Sequence, residues 1–164
     1  MKYHEGPTVE ADVLIDAPIE RVWQLVTDIG TPARFSSEFL GATWLDDQPG
    51  VGARFVGRNQ HSAFGEWETT SIVNRYEPMR EFGWNVTDQD NPSSSWWFRL
   101  DEEPGGVRLR QGTRIGPAPS GLTVAITAMP EKEDRIIARR LEEFGRNMRA
   151  TLDGIKHLAE EGAA

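Results

Sequence analysis

The feature that most restricts the fold is a long apolar stripe near the C-terminus. Ile137, Leu141, Phe144, Met148, Leu152 and Ile155 recur at steps of three and four residues. That spacing puts them on one side of an α-helix, which the pattern predicts from Pro130 to about Leu158. Glu131, Glu133 and Asp134 stand in its first turn, where carboxylates complement the positive helix end. At 1.5 Å per residue the helix is about 40 Å long. A stripe of that length needs an equally long apolar partner.

The rest of the chain supplies one. Val9, Ala11, Val13 and Ile15 alternate with Glu10 and Asp12, the period-two pattern of a half-buried strand from Thr8 to Asp16. Asp16-Ala17-Pro18 then reads as a helix start, with Asp16 as the cap and the proline in the first turn. Ile19, Val22, Trp23 and Val26 continue at helical spacing. A break at Asp28 to Pro32 precedes a second short helix, expected from Pro32 to Glu38. From Gly41 to Gly116, six aromatic-rich segments are separated by turn clusters such as Asp47-Gln48-Pro49-Gly50 and Glu103-Pro104-Gly105-Gly106. These read as an antiparallel meander. Gly116 to Gly121 forms a stiff elbow before the long helix. The predicted class is α+β: about seven antiparallel strands curved around the C-terminal helix, with two short helices after the first strand.

At 164 residues the chain fits one domain, 1–164, with enough core to enclose a cavity. Its net charge of −8 and pI of about 4.9 oppose a nucleic-acid partner. The basic residues Arg135, Arg139 and Arg140 are interleaved with acids. There are no cysteines, which removes disulfides and thiolate chemistry. With no signal-peptide pattern in MKYHEGPTVEAD, a cytoplasmic location is expected. No apolar run reaches the ~18 residues of a membrane span. His4, His61 and His157 form no metal-ligand pair, and no phosphate loop, dinucleotide fingerprint or nucleophile elbow occurs. Neither metal nor cofactor is therefore expected. Asn85-Val86-Thr87 matches a glycosylation sequon, idle without a secretory signal.

Candidate ligand contacts follow from strand parity and helical phase. Trp96, Phe98 and Leu100 share one face, as do Phe82, Trp84 and Val86, and both sets are expected on the concave side. With Trp67 they give an aromatic lining suited to a ring-containing or lipid-like molecule. Gln111 and Thr113 are polar on the otherwise apolar face Val107, Leu109, Ile115. Burying such groups without partners costs about 1–3 kcal/mol each, so they are candidates for binding polarity. On the helix, Arg140 and Asn147 lie beside Phe144 and Met148. Arg140 either snorkels to the surface and pairs with Glu143 or Glu133, or reaches the pocket. His61, in a strand-to-strand turn near the pocket mouth, is a weak acid–base candidate. Glu66, Glu68 and Glu81 point inward only if the strand parity is shifted by one.

The opening VEADVLIDAPIERVWQLVTDIGTPARF resembles Bet v 1-like (START/SRPBCC) proteins, specifically the bacterial polyketide cyclase/dehydrase-like branch. The matching positions are Ala17, Pro18, Val22, Trp23, Asp28 and Phe35, and the element order agrees over about the whole chain. The resemblance implies a helix-grip fold with a deep pocket between sheet and C-terminal helix. It also implies a lipid, hormone, polyketide or other apolar ligand, with cyclisation or dehydration in some members. Three functions are expected from it. The first is binding of an apolar or aromatic small molecule. The second is a polyketide cyclase or dehydratase working through His61 or an inward Glu. The third is an interaction module with a filled core. The tryptophan-rich strands are also compatible with a homodimer.

Overall fold

The structure is a computed structural model that describes residues 1–161. Strand β1 (Thr8–Ile15) leads into α1 (Ile19–Thr27) and a single 3₁₀ turn, Thr31–Arg34. Six strands follow: β2 (Phe39–Trp44), β3 (Arg54–His61), β4 (Gly65–Glu77), β5 (Glu81–Val86), β6 (Ser94–Glu103) and β7 (Gly106–Ile115). Helix α2 (Gly121–Ala128) and a 3₁₀ turn at Pro130–Lys132 precede α3 (Glu133–Glu161). Every strand pair is antiparallel, in the order β1-β7-β6-β5-β4-β3-β2. The sheet curls around α3, which gives the helix-grip arrangement. Among the described residues no helix is long and apolar enough to cross a membrane.

The expected alternation holds where it was read. Ala11 and Ile15 are buried on β1, and Val107, Leu109, Gln111, Thr113 and Ile115 all turn inward on β7. On α3, Ile137, Phe144, Met148, Leu152 and Ile155 are buried against the sheet. Removing that apolar area from water, at about 25 cal/mol per Å², stabilises the packing of α3 on the sheet. Glu133 and Asp134 do more than complement the helix end. Glu133 accepts the Tyr3 N–H at 2.9 Å, and Asp134 meets the N-terminal ammonium at 2.7 Å, so they tie down the start of the chain.

Three local expectations are corrected. Helix α1 has Pro18, not Asp16, at its N-cap, and no side chain caps it. The segment Pro32–Glu38 is not a helix: after the 3₁₀ turn it straightens. The Ser36 hydroxyl accepts the N–H groups of both Glu38 and Phe39, which launches β2. The elbow after β7 leads first into α2 and not directly toward the long helix. There Ser120 accepts the Leu122 N–H and its own N–H donates to the Thr123 hydroxyl, a reciprocal capping pair.

Candidate functional site

The curl of the sheet leaves open space between its concave face and α3. An inner cavity of about 130 Å³ lies there. Phe82 and Trp84 line it from β5, Trp96 and Phe98 from β6, and Gln111 from β7. Phe144, Asn147 and Met148 close it from α3. All eight are among the side chains that strand parity and helical phase place toward the space between sheet and helix. The rings form a packed chain, with Phe55–Trp84 and Phe82–Trp84 centroids each 5.5 Å apart. Trp96 meets Phe144 edge-on at 5.1 Å and joins sheet to helix.

Two larger spaces adjoin it. A polar mouth of about 490 Å³ is bounded by Glu38, Gln60, His61, Glu143, Arg146 and Asn147. An apolar groove of about 640 Å³ runs between the β3–β4 hairpin and α2, past Phe64, Trp67, Leu122 and Phe144. Glu38 borders all three spaces. Trp67 therefore lines the groove, and Arg140 both the groove and the mouth, and neither lines the inner cavity. Thr113 lines none of the three. Its hydroxyl donates to the Ser95 carbonyl at 2.9 Å, so its polarity serves the β6–β7 ladder. Gln111 differs: its Oε1 is buried with no hydrogen-bond partner.

The charges gather where the spaces meet. Arg140 has 11% of its side chain exposed and does not snorkel. Its Nη2 lies 2.6 Å from Glu38 Oε1 and its Nη1 2.9 Å from Glu143 Oε2. The guanidinium also lies over the Phe144 ring, 4.2 Å from the centroid. The expected pairing with Glu143 is present, whereas Glu133 instead binds the chain start. His61 adds the fourth member. Its Nε2 is 2.9 Å from Glu143 Oε2 and its Nδ1 accepts the Ala63 N–H at 2.9 Å. Burial pushes the Glu143 carboxyl up, but the hydrogen bonds from His61 and Arg140 outweigh it and hold it below the usual range.

Glu66 and Glu68 are exposed and Glu81 pairs with Arg99 at 3.1 Å, so none of the three points inward. Among the described residues the carboxylate that lines the inner cavity is Glu38, at the end of the segment expected as a helix. Phe39, Phe55, Asn59 and Thr69 also line the inner cavity. The alternation Phe55, Gly57, Asn59 on β3 carried that signal. Asn85 of the sequon is buried, and its amide is engaged by Gln89, Asn74 and Ser95.

Residues 7–160 match the family described as polyketide cyclase / dehydrase and lipid transport. No match was found among curated proteins. Among solved structures, the polyketide-cyclase-like protein Cgl2372 from Corynebacterium glutamicum is 31% identical, with 94% of this chain and 92% of that one covered and a TM-score of 0.68. The Zhui aromatase/cyclase from Streptomyces sp. R1128 is 17% identical over 96% of each chain, with a TM-score of 0.69. One half of the di-domain aromatase/cyclase BexL from the BE-7585A biosynthetic pathway superposes with a TM-score of 0.70 at 18% identity, covering 94% of this chain and 50% of that one. The last two likenesses establish the fold. The match across nearly the whole chain and the similarity to Cgl2372 establish more: the chain belongs to the polyketide cyclase/dehydrase and lipid transport family.

Proposed function

We propose that the protein binds an apolar or aromatic small molecule between the sheet and α3, the chain acting as one ligand-binding domain. The observation that carries this reading is the inner cavity: aromatic on the sheet side, with the buried Gln111 Oε1 unpartnered beside it. A native core rarely leaves such an atom unmatched, and a bound molecule or water is the usual complement. About 130 Å³ holds roughly one small ring. A larger ligand extends from it into the groove, where Trp67 and Leu122 continue the apolar wall.

The test is native mass spectrometry of the purified protein, followed by denaturing extraction and identification of what is released. A stoichiometric lipid or aromatic metabolite, lost from a Trp96→Ala variant, supports the reading. Protein that is empty, and whose tryptophan fluorescence is unchanged across a panel of aromatic and lipid probes, sinks it.

A second reading, cyclisation or dehydration of a polyketide-like substrate, draws on Glu38. Its carboxylate borders the inner cavity and both approaches, within reach of a bound chain. Glu38 would move the proton, while the walls fold the chain so that proximity supplies most of the rate. A Glu38→Gln variant that binds substrate but does not turn it over separates this reading from simple carriage. The filled-core interaction module is disfavoured by a core that encloses open space.

A further inference from the structure

We propose that His61 is a pH-operated latch on the tip of the β3–β4 hairpin, and that it controls the apolar groove leading to the inner cavity. Both ring nitrogens are committed. Nδ1 accepts the Ala63 N–H at 2.9 Å, so in the closed state it carries no proton. The neutral ring then holds its hydrogen on Nε2, which donates to Glu143 Oε2 at 2.9 Å. One side chain thus ties the hairpin tip to α3 in a single tautomer.

The tip matters because of Phe64. Its ring lies against His61, with centroids 4.6 Å apart, and edge-on to Trp67 at 6.1 Å. It faces the Arg140 guanidinium at 5.6 Å, and a Cβ built on Gly121 would lie 3.4 Å from the ring. Phe64 therefore bridges the hairpin to α2 and α3 across the groove. Through Trp96, Phe144, Asn59 and Thr69 that groove shares walls with the inner cavity.

Protonation puts a hydrogen on Nδ1 and sets donor against donor at Ala63. The charged ring keeps its contact with Glu143, because an imidazolium–carboxylate hydrogen bond is stronger than a neutral one. The tip yields instead. The other charges around the ring are Arg140, Arg139 and Arg146 on α3, Glu66 on β4 and Glu38 before β2. Glu143 already shares both Arg140 and Arg139, so these groups change partners little. Phe64 N–H bonds to the His61 carbonyl at 3.2 Å, so the turn persists while the Ala63 tether and the Phe64 ring loosen. The Phe64 bridge narrows the groove while the ring is neutral and gives way when the ring takes up a second proton. The consequence for uptake rests on the ligand-binding reading above. The latch itself does not.

The experiment is an NMR titration of the ¹⁵N-labelled, ligand-free protein from about pH 8 to about pH 5, spanning the histidine range. It follows the His61 ring nitrogens and the Ala63 amide together. The expected result is a protonated Nε2 and bare Nδ1 at high pH. The Ala63 resonance should move with the His61 midpoint, and its hydrogen exchange, corrected for the intrinsic rate, should speed up about tenfold, the loss of one ordinary hydrogen bond. A His61→Asn variant, whose Oδ1 keeps an acceptor near the Nδ1 position without titrating, should show no such transition. A protonated Nδ1 at high pH, or an Ala63 amide indifferent to His61 charging, overturns the latch, and the wild-type titration alone decides this. Stopped-flow uptake of anilinonaphthalene sulfonate then tests the groove. A rate that rises at the same midpoint supports gating, and a flat rate with Ala63 released overturns it. Protein that takes up no probe at any pH fails the ligand-binding reading instead, and leaves the latch standing on the Ala63 signal.

Discussion

Arg140 and Glu38 meet at 2.6 Å across the entrance to the cavity, with 11% and 13% of their side chains exposed. The contact is an ion pair without an aligned hydrogen bond, since Glu38 Oε1 receives no N–H along its axis. Glu143 takes the better-aligned share of the same guanidinium at 2.9 Å. Arg140 therefore bridges two largely buried carboxylates from distant parts of the chain, and of the two only Glu143 has further partners among the described residues, Arg139 and His61. Losing the cation is then worse than losing either anion.

Arg140→Met, which keeps the stem but removes the charge, should destabilise the protein by about 3 kcal/mol, because it leaves the largely buried Glu38 carboxylate without its cation and Glu143 without one of its partners. Glu38→Gln should cost about 1 kcal/mol or less, since Arg140 retains Glu143 and the amide oxygen can still accept. Urea denaturation of the two variants measures the difference. Equal losses would mean that the two carboxylates do not depend on Arg140 as a common partner.

Acid stability should report on Glu143. Burial raises its carboxyl, the hydrogen bonds from His61 and Arg140 lower it further, and the net position is below its usual value of 4.5. A depressed carboxyl stabilises the fold fully above its unfolded value and loses that contribution as pH falls through the folded one. The stability gap between wild type and Glu143→Gln should therefore shrink on acidification below about pH 5, in line with carboxylate titration. Thermal melting across that range checks it. A gap that widened on acidification would reverse the sign.

Gln111 should separate binding from stability. Its buried, unpartnered Oε1 costs the ligand-free protein about 1–3 kcal/mol, and Met matches its length without the polar atoms. Gln111→Met should leave the apo protein equally or more stable and weaken retention of the extracted ligand. Loss of more than about 1 kcal/mol in the apo state would show that the amide has a structural role after all.

What the sequence made legible was local periodicity. β1, the α3 stripe and the inward set on β6 and β7 repeat within one element, so strand parity places Trp96, Phe98 and Gln111, and helical phase places Phe144. The misses are of another kind. Glu38 stands in a stretch whose proline and short spacing suggested a helix, whereas Ser36 redirects it into a strand. Its partner Arg140 lies far along the chain, and that approach exists only in the closed fold. Thr113 lies on the inward face that parity gives, but its bond to Ser95 on the neighbouring strand is a tertiary fact that parity does not carry. Helix α2 is rich in Thr, Val and Ile, which argue weakly for helix, and its local signal is the pairing of Ser120 with Thr123.

The two glycines inside α3 make a final contrast. Replacing glycine by alanine within a helix gains up to about 1 kcal/mol from propensity. At Gly145 an added Cβ would lie 3.9 Å from Val9 Cγ2, an ordinary contact, so Gly145→Ala should realise that gain. At Gly154 the Cβ would fall 2.4 Å from two ring carbons of Phe35 and 2.6 Å from its Cγ. The ring must move as a whole, and overpacking of this kind costs about 1–3 kcal/mol, more than propensity returns. Phe35 immediately precedes Ser36, which fixes the backbone of Glu38, so the displacement is carried to the cavity entrance. Gly154→Ala should lower the melting temperature and weaken ligand retention, while Gly145→Ala raises the first and leaves the second unchanged. If both raised it, Phe35 would be free to leave α3, and the close packing that sets Glu38 against Arg140 would need another source.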